Sequence, residues 1–173
     1  MLISNTHRKR YRDYFAEKGH PAEKPGALVD TIAAMCRTYN YLTVLDYGSG
    51  PARQLSRFLP STFITEDYDP GVPAISSTPI PTDLVVCNHM LEHVEDEASA
   101  VSVLKHIKQL ALRGAYIAIS LEPSTKFLAP DCEWHSLVRD ADWWDTLVKK
   151  FFPLASSEHD EKQVVYIWSQ HDA

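Results

Sequence analysis

Val44-Leu45-Asp46-Tyr47-Gly48-Ser49-Gly50 decides the architecture of this chain. The run Tyr41-Leu-Thr-Val-Leu45 is short, apolar and β-branched; it ends on an acid, and two glycines follow at once. Glycines there permit a tight turn and let the main chain approach a ligand closely at the end of a first strand. Pro51 suits the first position of a helix, and Leu55, Phe58 and Leu59 supply that helix with a buried face. The dinucleotide pattern G-x-G-x-x-G is incomplete, because Arg53 stands where its third glycine would be. The competing reading is an ordinary strand–turn–helix junction with a solvated acid.

Outward from this stretch, strands and helices alternate. A second β-rich run, Thr62 to Tyr68, ends in Asp69-Pro70-Gly71. A carboxylate at Asp69, 19 residues beyond Gly50, can accept both ribose hydroxyls of an adenosine. Four prolines between positions 70 and 81 exclude a regular helix there. Leu84-Val-Val-Cys87 reads as a buried strand of a parallel sheet. A helix from about Glu95 to Leu112 follows, and Gly114 starts a strand, Ala115 to Leu121. Residues 122–139 read as a long loop, of the kind that often carries function. Asp142 to Phe151 is a helix candidate, and Val164 to Trp168 a last strand. Upstream, residues 6–17 have helical spacing of Tyr11, Tyr14 and Phe15, stopped by Gly19-His20-Pro21. Leu28, Ile32, Met35 and Cys36 recur at helix period between Ala27 and Tyr39. The alternation predicts an α/β domain with a mostly parallel sheet and helices on both faces.

The 173 residues suit one domain with a full core. With 45% hydrophobic and 23% charged residues, the balance is globular rather than disordered. No unbroken apolar run exceeds five residues, so no segment is expected to span a membrane. The first residues place their charge after a small apolar patch, the reverse of a secretory signal. A net charge of −6 argues against a polyanion gripped by the whole surface. Cys36, Cys87 and Cys132 are far apart and odd in number, with no disulfide framework or CxxC pair. A reduced, cytoplasmic compartment is the expectation.

Three segments in order carry a resemblance: Leu45-Asp-Tyr-Gly-Ser-Gly50, Asp67-Tyr-Asp-Pro70 and Asp83-Leu-Val-Val-Cys-Asn-His-Met-Leu-Glu-His-Val94. Together they resemble the successive motifs of class I S-adenosylmethionine-dependent methyltransferases over roughly residues 40–120, and Arg113-Gly-Ala-Tyr-Ile-Ala-Ile-Ser120 fits that family's fifth strand. The Leu-Glu-His-Val element is most similar to small-molecule O-methyltransferases, such as the ubiquinone-pathway enzymes, and to small phage-encoded methyltransferases. The resemblance implies a single Rossmann-like doubly wound domain. Its sheet would have seven strands, mostly parallel, with an antiparallel last strand. Residues 1–40 would be N-terminal helices covering the cofactor site, 41–121 the cofactor-binding core, and 122–173 the acceptor loop, helix and last strands. Asp46, Gly48 and Gly50 would surround the methionine part of S-adenosylmethionine. Asp69 would hold the ribose, with Asp67 the second candidate, and Asn88 would lie beside the methionine end. Tyr11 and Tyr14 would close over the cofactor or simply pack the helix on the sheet. The chain departs from the family at Ala52, where many members have glycine, and in the short segment between the second and fourth family strands. Ile75 and Ser76 are the positional candidates for the adenine pocket.

His89-Met-Leu-Glu92-His93 forms a second constellation. On a helix its three polar residues, at i, i+3 and i+4, share one face, and imidazoles with a carboxylate are plausible ligands for zinc, manganese or a similar ion. Ubiquinone-pathway O-methyltransferases and small-RNA 3′-end 2′-O-methyltransferases carry Glu-x-x-Glu-His at this place. The resemblance therefore implies a divalent metal on His89, Glu92, His93 and, from the downstream loop, His135. Alternatively, Glu92 and His93 cap and orient the loop, as in metal-free relatives. In a metal-free site His135 or His89 is the candidate base. Trp134, Trp143 and Trp144 are candidates for an acceptor lid, with one of the adjacent pair expected in the core. His7-Arg-Lys-Arg10 and Arg12 either touch phosphates or form a solvated helix end. The Pro-Pro-aromatic signature of amino-methyltransferases and the Pro-Cys nucleophile of cytosine-ring enzymes are absent from the sequence. The leading expectation is methyl transfer to an O or N atom of a small-molecule acceptor. The alternatives are a metal-assisted RNA or nucleotide methyltransferase, with nucleic acid as partner, and a non-catalytic S-adenosylmethionine-binding domain.

Overall fold

Thr43–Tyr47 forms the first strand, β1, and Ile64–Tyr68 the second, β2, with the short helix α3 (Gln54–Phe58) between them. The computed structural model describes residues 2–19 and 26–170; His20 and Pro21, read as part of a helix stop, lie outside the described residues. Ahead of β1 come α1 (Asn5–Lys18) and α2 (Ala27–Tyr39); after β2 come β3 (Thr82–Asn88), α4 (Glu97–Leu110) and β4 (Ala111–Ser120). A small hairpin, β5 (Phe127–Ala129) and β6 (Cys132–Glu133), leads to α5 (Ala141–Val148), β7 (Ser156–His159) and β8 (Gln163–Ser169).

The central sheet has the order β2-β1-β3-β4-β8-β7. The first four strands are mutually parallel. β8 runs antiparallel to both β4 and β7, so the reversed last strand lies inside the sheet rather than at its edge. Among the described residues the sheet has six strands where seven were expected. The proline-rich stretch 69–81 makes only a 3-10 turn, Pro73–Ile75, because each proline lacks the N–H that a helix or inner strand needs. β2 is therefore one edge of the sheet. The other edge, β7, is all polar (Ser-Ser-Glu-His) and gave no hydrophobic signal. The segment read as a loop, 122–139, contains the β5–β6 hairpin.

The inner strands are buried on both faces, as parallel strands between helices must be. Val44, Leu84 and Val86 face Ile32, Met35, Cys36 and Leu55 of α2 and α3. Leu45, Val85 and Cys87, one residue out of phase, face Val103, Leu104, Ile107 and Trp144 of α4 and α5. Trp144 is wholly buried, as expected for one of the adjacent tryptophans. None of the described helices is long and apolar enough to cross a membrane.

Candidate active site

The carboxyl ends of β1, β2, β3 and β4 meet at one side of the sheet, where ligands bind in open α/β folds. They surround a cavity of about 380 Å³ lined by Gly48, Gly50, Asp69, Asn88, Ser120 and the cluster His89, Glu92, His93 and His135. This volume lies within the roughly 300–1,000 Å³ typical of small-molecule sites.

The glycine turn is built by left-handed backbone at Gly48 (φ 80°) and Gly50 (φ 59°). A Cβ on Gly48 would overlap the Met90 side chain, whereas one on Gly50 would meet nothing within 4 Å. The Gly48 and Ser49 N–H groups both donate to the Tyr68 carbonyl, at 2.7 and 3.2 Å. Asp69 ties the two loops together: Oδ2 accepts from Gly50 N–H at 3.0 Å and Oδ1 from Gly71 N–H at 2.7 Å. Burial pushes its carboxyl above the usual range, and these N–H groups oppose the shift. The carboxylate keeps acceptor capacity beyond these two bonds.

Asp46 does not line the cavity. Its carboxylate lies buried within β1 and accepts from Leu55 N–H at 3.3 Å, so it holds α3 against the strand. Burial pushes its pKa up to about 7. Asp67, Ile75 and Ser76 are also outside the cavity wall; Asp67 instead accepts from the Ser56 hydroxyl at 2.8 Å.

The His/Glu cluster departs from the expected helical face. His89 adopts a left-handed conformation (φ 49°) that ends β3, and the following turn, Leu91–His93, is 3-10. Glu92 is fully buried. Its Oε1 accepts from His89 Nδ1–H at 3.2 Å, while Oε2 is buried with no partner among the described residues. His93 Nδ1 lies 2.7 Å from the Trp134 carbonyl, and His135 Nδ1 lies 2.6 Å from the Glu122 carbonyl. A carbonyl only accepts, so both Nδ1 atoms carry protons and both Nε2 atoms keep lone pairs. One ligand atom each from Glu92, His93 and His135 falls within 4.8 Å of the others. His89, the fourth expected ligand, lines the same cavity but its ring lies outside this group of three. Burial pushes the His93 imidazole pKa down. Burial alone would raise that of Glu92, but the His89 hydrogen bond and the two histidines outweigh it and the net shift is downward. The same hydrogen bond, with help from Gln163, raises His89.

The donor chemistry fits a divalent cation. Two imidazoles have their second nitrogens anchored on main-chain carbonyls, the usual outer arrangement around metal-bound histidine. The third group is a buried carboxylate with an oxygen that no protein group satisfies, a costly state unless something pairs with it.

Helix α1 closes the cavity from above. His7 Nε2–H and Tyr11 O–H both donate to the His93 carbonyl, at 2.8 and 3.2 Å. The Trp134 ring packs on Tyr11, Tyr14 and Phe15, with centroids 5.4, 4.5 and 6.0 Å away. Arg10 pairs with Asp131 of the hairpin at 2.7 Å. Of the three candidate lid tryptophans only Trp134 lines the cavity. Trp143 packs on the Trp144 ring and under Arg139. His7, read as part of a basic run, is buried and belongs to the site. The succession His7, Tyr11, Phe15, each four residues after the one before, was the available signal.

No protein-family model matches the chain, and no curated protein matches it in sequence. Solved structures do. An O-methyltransferase family protein from Burkholderia thailandensis superposes with a TM-score of 0.61 at 14% identity, over 94% of this chain and 59% of that one. The magnesium protoporphyrin IX methyltransferase of Synechocystis PCC 6803, solved with bound S-adenosylmethionine, gives 0.57 at 17% identity, over 94% and 97%. The small RNA methyltransferase HEN1 gives 0.58 at 12% identity, over 91% of this chain and 27% of that one. This chain thus spans less than two thirds of the length of two of these three proteins. The fold, with its sheet order and the crevice at the carboxyl ends of its strands, is the Rossmann-like fold of solved methyltransferases.

Proposed function

We propose that this chain binds S-adenosylmethionine in the cavity and transfers its methyl group to an oxygen or nitrogen of a small-molecule acceptor. The observation that carries the reading is the joint placement of Gly48, Gly50, Asp69 and Asn88 around one cavity whose far wall holds the His/Glu cluster. The solved neighbours support the reading through their shared fold. Residues 41–121 would form the cofactor-binding core, residues 1–40 its cover, and residues 122–173 the acceptor side.

S-adenosylmethionine supplies an electrophilic methyl carbon on a sulfonium; the carbon–sulfur bond breaks as the acceptor's bond to carbon forms. The glycine turn gives close main-chain approach to the methionine part, and Asp69 accepts from the ribose hydroxyls. In-line displacement requires alignment and exclusion of water, and the aromatic cover of Tyr11, Phe15 and Trp134 provides the second. An acceptor hydroxyl must also lose its proton. The Nε2 atoms of His135 and His93, each left with a lone pair because Nδ1 carries the proton, stand ready to accept it.

A metal-assisted version of the same reading rests on the unpartnered Glu92 Oε2 and the two anchored imidazoles. Glu92, His93 and His135 would hold the ion, which when bound would act as a Lewis acid lowering the pKa of an acceptor hydroxyl. Calorimetric titration with S-adenosylhomocysteine tests the core of the proposal. One-to-one binding is expected; no heat and no thermal shift at millimolar ligand would overturn it.

A further inference from the structure

His89 is the one member of the expected ligand set that the structure sets apart, and its geometry gives it a different task. Its backbone sits at φ 49°, a region uncommon outside glycine but one that histidine, like asparagine and aspartate, enters more often than other side chains. The main chain is fixed there by the His89 N–H, which donates to the Ala118 carbonyl at 2.9 Å. This bend aims the imidazole back at Glu92, three residues on. His89 Nδ1–H then occupies Oε1 of that carboxylate at 3.2 Å, while Oε2 has no partner among the described residues. A carboxylate free to rotate would present either oxygen; one held by a donor on Oε1 presents the other.

We propose that His89 is a positioning residue for a metal-binding carboxylate: its Nδ1–H fixes Glu92 so that Oε2 faces the cation site formed with His93 and His135. The inference rests on the metal-assisted reading above and names a role that the ligand chemistry alone does not supply. It also explains why a residue at this place is histidine although it stands outside the cluster of ligand atoms. Side chains that orient a metal ligand commonly change affinity by 10- to 100-fold when removed. An imidazole supplies the donor from the ring position nearest its own backbone. Asparagine carries an amide nitrogen at the same number of bonds from the backbone and tolerates left-handed φ. Glutamine carries its amide one bond further out, where the Nε2 atom of histidine lies.

The test is the affinity of the full chain for Mn²⁺ alone, measured by calorimetry for the wild type and for His89→Ala, His89→Asn and His89→Gln. Melting curves without metal establish that each variant is folded. The expected result is binding by the wild type, a loss of about 10- to 100-fold in His89→Ala, a similar loss in His89→Gln, and affinity close to wild type in His89→Asn. Equal losses in His89→Asn and His89→Ala would make His89 a ligand through its ring and overturn the positioning role. Unchanged affinity in His89→Ala would overturn it too, with the metal reading intact. Absence of Mn²⁺ binding by the wild type would overturn the metal reading, and this inference with it.

Discussion

The rings of His93 and His135 meet edge to face, with centroids 4.9 Å apart and planes at 79°. They come from elements 42 residues apart in the chain. Each donates its Nδ1–H to a main-chain carbonyl, of Trp134 and Glu122 respectively, so the β4–α5 connection fixes both tautomers. The two carbonyls belong to the same segment that carries His135. Docking of this segment therefore assembles the cluster, and loss of either ring undoes it.

Zinc or manganese should raise the melting temperature of the wild type and do little for His93→Ala or His135→Ala. At a hundredfold excess over the dissociation constant the stabilisation is about 2.7 kcal/mol. Magnesium should have a weaker effect, because imidazole nitrogen suits borderline transition ions. The imidazoles must be neutral to bind, so affinity falls as pH falls. Burial holds the His93 pKa below its ordinary value, so its part of the loss should appear only below about pH 6.5. Thermal shift with and without metal from about pH 5 to about pH 8 checks the direction.

Asp69→Ala should weaken S-adenosylhomocysteine binding by about 1.5–3 kcal/mol, the range for a hydrogen bond to a charged group. Part of this will come from the loosened Gly50 and Gly71 loops that its carboxylate ties. Asp67→Ala, away from the cavity, should bind as the wild type does. Calorimetry on the pair separates the two acids, and the reverse pattern would move the ribose contact to Asp67.

The order of strands and helices was legible because buried strands and amphipathic helices leave different periods. Leu84-Val-Val-Cys87 announced a strand covered on both sides, and α2 was readable to its last residue. What escaped lacks such a signal. β7 is polar and lies at an edge. The hairpin after β4 is set by tertiary contacts with α1 rather than by its own composition. The resemblance implied seven strands, and among the described residues the sheet has six, with only a 3-10 turn in the proline-rich segment between β2 and β3. At the site, Gly48, Gly50, Asp69 and Asn88 lie around one cavity. Asp46 lies outside the cavity wall and the His89 ring outside the three-residue cluster, because burial and backbone twist, which spacing does not encode, decide where a side chain points.

Asp46→Asn should stabilise the protein at high pH and change little in acid. Burial raises the folded-state pKa to about 7, above the ordinary value near 3.9. The native state therefore binds the proton more tightly than the unfolded chain, and this residue's contribution becomes less favourable as pH rises from about 4 to about 7. Asparagine keeps an acceptor for Leu55 N–H without the charge. Melting temperatures of variant and wild type should diverge through that window and stay parallel above it. Parallel curves throughout would show that Asp46 is ionised at no cost.

Gly48→Ala should cost about 1–3 kcal/mol of stability, from left-handed backbone and overlap with Met90. It should also abolish detectable cofactor binding, since the turn lines the cavity. Gly50→Ala meets no neighbouring atom, so its smaller stability loss should come from backbone strain alone. Chemical denaturation of the two variants side by side checks the order.

The most direct test of the whole account is a crystal structure of the chain grown with S-adenosylhomocysteine. Ligand density is expected in the cavity at the ends of β1 and β2, with the ribose hydroxyls on the Asp69 carboxylate and the sulfur turned toward Asn88 and the His/Glu cluster. A cavity empty of ligand at saturating concentration, or ligand bound elsewhere with Asp69 uninvolved, would contradict it.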